Sequence, residues 1–172
     1  MRDSVHIRRF VHPESIPSLR FRFRAKKEFG RLGLEMASSH NLHTTIIHER
    51  NFTGSMQDIA DAMRQQPGST DQPIDAHVIG GGAIGRNRIT QTSWFALLLD
   101  NNDLDRDFER FNRLSDDTHS EIFIPHVTLF KTTNPTSPAE SDAIGEWIQD
   151  NAPRSIHLKP ISASWSVRNE DS

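Results

Sequence analysis

Two short segments carry the residue types best suited to chemistry, Leu42-His43-Thr44-Thr45-Ile46-Ile47 and Ile124-Pro125-His126-Val127-Thr128-Leu129-Phe130. Each is a His-x-Thr triplet set in an apolar, strand-like run. Side chains alternate faces along a strand, so His43 projects with Thr45 and His126 with Thr128, while Thr44 and Val127 point the other way. Two such strands brought together present two imidazoles and two hydroxyls to one cleft. That set suits phosphodiester chemistry: a neutral imidazole deprotonates the attacking water, and an imidazolium protonates the departing oxygen. Histidine serves in both forms near neutrality because its ordinary pKa is about 6.5. The Thr hydroxyls can donate to the non-bridging phosphoryl oxygens, where charge builds in the transition state. This chemistry calls for no metal and no other cofactor.

Counted alone, the triplets say little. Nine His and eleven Thr among 172 residues would produce about 0.6 such triplets by chance. Their setting says more, because they stand 83 residues apart in matching places of the two halves.

The elements that must position them alternate between strand and helix. Val5 to Val11 reads as a first strand that ends before Pro13. A helix is expected from Pro13 to about Gly30, although Leu19 to Arg24 also alternates with the period of a strand. Asn41 to His48 is a strand, and Met56, Ile59, Ala60 and Met63 mark one face of a helix ending before Pro67. After a loop over Gln66 to Pro73, strands over Ile74–Ile84 and Arg88–Asp100 flank Gly85-Arg86-Asn87 as a hairpin. Leu104, Phe108, Phe111 and Leu114 are spaced for a helix, Glu121 to Lys131 forms a strand interrupted by Pro125, and Ala139 to Gln149 forms a helix. Ile156 to Val167 closes the chain as a last strand. Gly80-Gly81-Gly82 suggests a phosphate loop, but no Gly-Lys-Ser/Thr follows, so a bulge or irregular edge is the reading preferred. The pattern gives a mixed α and β fold, with strand, helix and His-x-Thr strand once per half.

Composition bounds the rest. The length fits a single domain spanning residues 1–172. A net charge of −3 argues against sequence-independent duplex binding, which rests on many Lys and Arg contacts to phosphate. No cysteine is present, which excludes disulfides, thiolate nucleophiles and Cys-ligated zinc. No apolar run approaches the ~20 residues of a membrane helix, and the N-terminus lacks the core of a signal peptide. A soluble cytoplasmic monomer is expected.

Asn41-Leu42-His43-Thr44-Thr45 and Pro125-His126-Val127-Thr128-Leu129 resemble the paired motifs of the 2H phosphoesterase superfamily, in particular its 2′-5′ RNA ligase or RNA 2′,3′-cyclic phosphodiesterase branch. The resemblance implies an α+β, bilobal, pseudo-twofold fold, with two antiparallel-rich sheets flanking a central cleft and helices outside. It implies metal-independent hydrolysis of RNA or nucleotide 2′,3′-cyclic phosphates to 2′-phosphates, with His126 as base towards water and His43 as acid. The substrate would be an RNA end, a cyclic nucleotide or a short oligonucleotide. Within the same superfamily the alternative is cleavage of 2′,5′-oligoadenylates or cyclic oligonucleotide signals, and outside it a nucleotide- or RNA-binding module with little catalysis. Two departures bear on substrate: Ile47-His48-Glu49-Arg50 is charged where the branch is aliphatic, and Lys131 stands where it commonly has Arg.

Other residues have two readings each. Trp94 and Phe130 suit core packing or stacking on a base, with Phe130 sharing the strand parity of His126 and Thr128. Arg86, Arg88 and Lys131 suit phosphate binding or simple solvation. The cluster Arg20, Arg22, Arg24, Lys26, Lys27, Arg31 suits an RNA backbone or an exposed helix face. His40 and His48 lie an odd number of residues from His43, hence on the opposite face of a strand, which argues against a metal site. His6, His12, His77, His119 and His157 read as surface or strand positions.

Overall fold

A computed structural model describes residues 2–52, 54–64, 71–114 and 123–168. Its strands are β1 (Arg2–Val11), β2 (Leu34–Met36), β3 (His43–Phe52), β4 (Ile74–Arg86), β5 (Ser93–Asp100), β6 (His126–Thr132) and β7 (Ser155–Arg168). Its helices are α1 (Ala25–Glu28), α2 (Met56–Arg64), α3 (Asn102–Asn112) and α4 (Pro138–Asn151). The strand order is β2-β6-β3-β1-β7-β4-β5, all antiparallel, and β5 also pairs β6.

The strands fall into two groups. β3-β1-β7 forms one lobe and β4-β5-β6-β2 the other, as the two expected sheets. They are continuous through two seams: one rung between β3 and β6, and four residue pairs joining Ile74–His77 to Ser155–Leu158. The buried residues of both lobes and of α2, α3 and α4 form one apolar cluster.

Most expected elements are present with shifted ends. The helix expected over Pro13–Gly30 is instead tight 3-10 turns at Pro13–Ser15, Pro17–Arg24 and Gly30–Leu32 around the single α-turn α1. A 3-10 turn repeats every three residues, and the longest of these buries Leu19, Phe21 and Arg22. The β4–β5 turn lies further along than expected, over residues 87–92, where Asn87 Oδ1 accepts from the amides of Ile89 and Thr90. Ser137 and Glu140 cap α4 reciprocally, with Pro138 in its first turn. The expected loop over Gln66–Pro73 and strand from Glu121 lie partly outside the described residues, as does His119.

The glycine run belongs to β4, where the register shifts between Val78 and Gly80. Its purpose is packing. A Cβ on Gly81 would stand 2.3 Å from Ile148 Cγ2, and one on Gly145 would stand 3.1 Å from the Gly81 carbonyl oxygen. α4 thus rests directly on the β4 backbone.

β1 buries Val5, Ile7 and Val11, with Arg9 in the same row at 0% exposure. The Arg9 guanidinium donates to Asp107 Oδ2 at 2.9 Å, to the Gln72 carbonyl at 2.9 Å and to the Lys159 carbonyl at 3.1 Å. One side chain therefore ties β1 to α3, β7 and the segment before β4. Asp107 is itself fully buried, and desolvation pushes its carboxyl above the ordinary range against the pull of Arg9. Asp107→Ala removes the carboxylate that the buried Arg9 guanidinium is bonded to, a change that costs about 3–5 kcal/mol. Thermal unfolding followed by circular dichroism is expected to show a Tm drop on the order of 10 °C.

Candidate active site

The two His-x-Thr strands meet at the first seam. Thr44 pairs with Val127, and both are fully buried. Continuing that antiparallel register by one residue sets His43 opposite Thr128 and Thr45 opposite His126. Side chains directly opposite in such a pair stand about 5 Å apart at Cβ. His43, Thr45, His126 and Thr128 are all partly exposed, on the face opposite Thr44 and Val127. Each histidine therefore faces the threonine of the other motif.

The supports repeat in the two lobes. The carbonyl before His43, on Leu42, accepts from Val11 N of β1 at 2.8 Å; the carbonyl before His126, on Pro125, accepts from Leu99 N of β5 at 2.9 Å. His43 Nδ1 bonds the Asn41 carbonyl at 2.5 Å, and His126 Nδ1 bonds the Ile124 carbonyl at 2.9 Å. A carbonyl can only accept, so Nδ1 carries the proton in both rings and Nε2 is the nitrogen left for proton transfer. Neither the Thr45 nor the Thr128 hydroxyl bonds another described residue, so both are available to a ligand.

Burial holds His43 below the ordinary histidine pKa, opposed by its bond to Asn41 and reinforced by the positive field of Arg8 and by His126. The sign favours neutral His43, the form of a base, in the free protein. The resemblance had made His43 the acid.

A bulge follows each motif. Ile46 and Ile47 are both buried, as are Leu129 and Phe130. Register shifts occur at the matching places, between Ile7 and Arg8 on β1 and between Phe95 and Ala96 on β5. The extra residue resets the alternation, with two corrections. Phe130 turns inward relative to Thr128: it is 1% exposed and packs on Phe95 at 5.7 Å between centroids, while still contributing to the lining of the cavity at Thr128. His48, expected opposite His43, joins its face, and its ring lies 4.0 Å from that of His6 on β1.

The bulges complete a correspondence between lobes. Phe10, Arg8 and His6 of β1 pair with His43, Thr45 and His48; Leu98, Ala96 and Trp94 of β5 pair with His126, Thr128 and Lys131. Trp94, Thr128 and Lys131 line a cavity of about 190 Å³ with Glu35, to which Lys131 is ion-paired at 3.2 Å. Thr45, His48 and His126 line a larger one of about 640 Å³, walled by Ile84, Leu98, Phe108, Phe123 and Ile124. Phe108 and Phe123 stack there at 4.4 Å, nearly parallel.

Other candidates lie elsewhere. Arg88 is exposed in the β4–β5 turn, where its carbonyl accepts from Gln91. Arg86 donates to the Thr136 carbonyl at 2.6 Å. The basic cluster is dispersed: Arg22 is fully buried and holds Ala37 O and Ser39 Oγ, Arg24 bonds Asn151, and Arg31 pairs with Glu140. Among the described residues no three His, Asp or Glu side chains gather at metal-ligand spacing.

Sequence reasoning missed Arg8, which pairs with Thr45 on the cleft face and rests its guanidinium 4.9 Å from the Phe10 ring. Its hydrogen bond to Ser164 Oγ is a long one at 3.3 Å, and its Nε is buried without a partner among the described residues. Arg8 and Arg9 are consecutive, and strand alternation sends one to the cleft and the other to the core.

No family model and no curated protein matches the sequence. Solved structures do match in fold. The structure of Kluyveromyces marxianus Usb1 with uridine monophosphate superposes with a TM-score of 0.62 at 10% identity, covering 95% of this chain and 93% of that one. TT0787 of Thermus thermophilus gives 0.58 at 13% identity, covering 97% and 91%. E. coli LigT complexed with 3′-AMP gives 0.53 at 14% identity, covering 99% and 90%. The fold is thus the one the motif resemblance implied.

The direction of the His43 shift yields a test. If neutral His43 must accept the proton, kcat/KM falls on the acid side through a pKa below the ordinary value of about 6.5. Arg8→Gln removes one of the influences that lower it, so the acid limb of the pH profile is expected to move to higher pH. An acid limb unmoved by the substitution would assign the base elsewhere.

Proposed function

We propose that this chain, with the fold of the 2H phosphoesterases, is a metal-independent phosphodiesterase that opens nucleotide or RNA-terminal 2′,3′-cyclic phosphates. The observation that carries the reading is the Thr44–Val127 rung, whose register, continued by one residue, sets each histidine opposite the other motif's threonine. A phosphoryl group seated between the four side chains would meet one imidazole on the water side and one on the leaving-group side. That in-line requirement is what two histidines on opposite strands satisfy and two on one strand would not.

In the reaction the base imidazole takes a proton from water at Nε2 as the water oxygen bonds to phosphorus. The bond from phosphorus to O3′ breaks, the other histidine gives its proton to O3′, and a 2′-phosphate remains. The Thr45 and Thr128 hydroxyls donate to the non-bridging oxygens as their charge grows. Arg8, beside Thr45, supplies positive charge on the same side. Proton transfers of this kind contribute about 10²–10⁴-fold each. Solved neighbours carry nucleotide ligands, 3′-AMP and uridine monophosphate, and the stacked Phe108 and Phe123 offer an apolar wall for a base.

A second reading within the same chemistry is cleavage of 2′,5′-linked or cyclic oligonucleotides. It draws on the cleft's extension past Thr45 to His48 and past Thr128 to Trp94. A panel of 2′,3′-cyclic nucleotides, 2′,5′-oligoadenylate and cyclic dinucleotides, assayed with EDTA present, separates the two. His43→Ala and His126→Ala are each expected to lower kcat by at least two orders of magnitude with an unchanged circular dichroism spectrum. Near-wild-type turnover in either variant would sink the assignment. Activity lost in EDTA and restored by zinc would replace the mechanism with a metal-assisted one.

A further inference from the structure

The lobes are matched in backbone, yet their far ends differ in chemistry. Beyond Thr128 the cleft ends in Trp94 and Lys131, whose charge is countered by Glu35. Beyond Thr45 it ends in His6 and His48, with Arg8 between them and the catalytic pair. Among the described residues no carboxylate pairs with Arg8 or His6.

We infer that His6 and His48, one strand step beyond Arg8, form a second anion subsite that receives a phosphate one nucleotide away from the phosphodiester being cut. The inference rests on the phosphodiesterase reading above and narrows its substrate to a phosphate-bearing nucleotide or an oligonucleotide, in preference to a bare cyclic mononucleotide.

Three observations support it. The first is placement. His6 and Arg8 are two residues apart on one strand face, a step of about 7 Å, comparable with the phosphate-to-phosphate step of an extended nucleotide chain. The second is crowding. Burial holds His6 below the ordinary histidine pKa, and His48, Arg8 and His43 lower it further. These are the groups that act on it: His48 and His43 from β3, and Arg8 from its own strand, with Ser164 its partner on β7. Their charges oppose that of His6, which no carboxylate among the described residues pairs with, so an anion bound beside it would offset the repulsion. The third is donor capacity. Rings tilted by only 30° at 4.0 Å place two imidazoles side by side, and an imidazole can donate an N–H to a phosphate oxygen.

The test compares adenosine 2′,3′-cyclic phosphate with its 5′-phosphorylated form. The wild type is expected to favour the phosphorylated substrate in kcat/KM on the order of tenfold, the worth of one or two hydrogen bonds to a charged group. In His6→Phe/His48→Phe, which keeps two stacked rings, that ratio should collapse towards one. The milder His48→Gln, at an exposed position, should lower it in part. A wild-type ratio near one, or a ratio unmoved in both variants, overturns the subsite. Calorimetry separates this from failure of the parent reading. In a His126→Ala background, adenosine 3′,5′-bisphosphate should bind more tightly than adenosine 3′-monophosphate, with the difference lost in His6→Phe/His48→Phe. If that difference is seen but no cyclic phosphate is turned over, the subsite stands and the reaction assignment falls.

Discussion

A single rung of backbone pairing, Thr44 opposite Val127, sets the geometry on which every other feature of the cleft depends. Both side chains are fully buried, and that burial decides register. A slip of one residue would turn the imidazoles into the core and an apolar row out to water, exchanging favourable burial for desolvated polar groups on both strands. β3 and β6 pair at this one rung, and a bulge, which increases local strand twist, follows each motif.

Around this seam the chain builds nearly the same apparatus twice. A neighbouring strand anchors the carbonyl before each histidine, a local carbonyl fixes each Nδ1, and two buried apolar residues follow each threonine. Such duplication suits a reaction whose acid and base must exchange proton states, since each ring can be poised by the same means and then adjusted by its neighbours. The adjustment is on the side of His43, where desolvation and Arg8 act together. The rigid side of the frame is held elsewhere, by Arg9 and Asp107 within the β1 layer and by α4 lying against Gly81.

Much of this was legible in the sequence for identifiable reasons. Alternation along Leu42–Ile46 and Pro125–Leu129 gave the facing of all four motif residues, because strand periodicity is a local property and holds wherever no residue is inserted. It failed one step later. Ile46-Ile47 and Leu129-Phe130 are consecutive apolar pairs, and a bulge at each moved Phe130 inward and His48 outward; the doubled aliphatics were the available signal. Arg8 escaped notice because Arg8-Arg9 reads as two surface charges, and only pairing partners 98 and 156 residues away, Asp107 and Ser164, separate a core cation from a cleft cation. The basic segment Arg20–Arg31 was misleading for the same reason, since Arg22 is spent on the loop that leads into β3.

The departure at position 131 acquires a different meaning from this arrangement. Lys131 stands where the resembling branch commonly has Arg, and its ammonium is shared with Glu35. In isolation that would weaken phosphate binding. But a group on a pseudo-twofold axis is equally near to either lobe, so a cation serves it from one as well as from the other. The place equivalent to Arg8 in the second lobe is held by Ala96, fully buried and without charge. The chain thus carries beside Thr45 a guanidinium that no carboxylate among the described residues pairs with, and beside Thr128 an amine paired with Glu35. A guanidinium remains charged across the range in which histidine titrates, so in the proposed reaction its field would stay constant while the two imidazoles exchange protons. The asymmetry also gives the cleft a direction. Under the proposed subsite, a substrate with a phosphate at one end and a ring at the other would have one favourable orientation, with the anion towards β1.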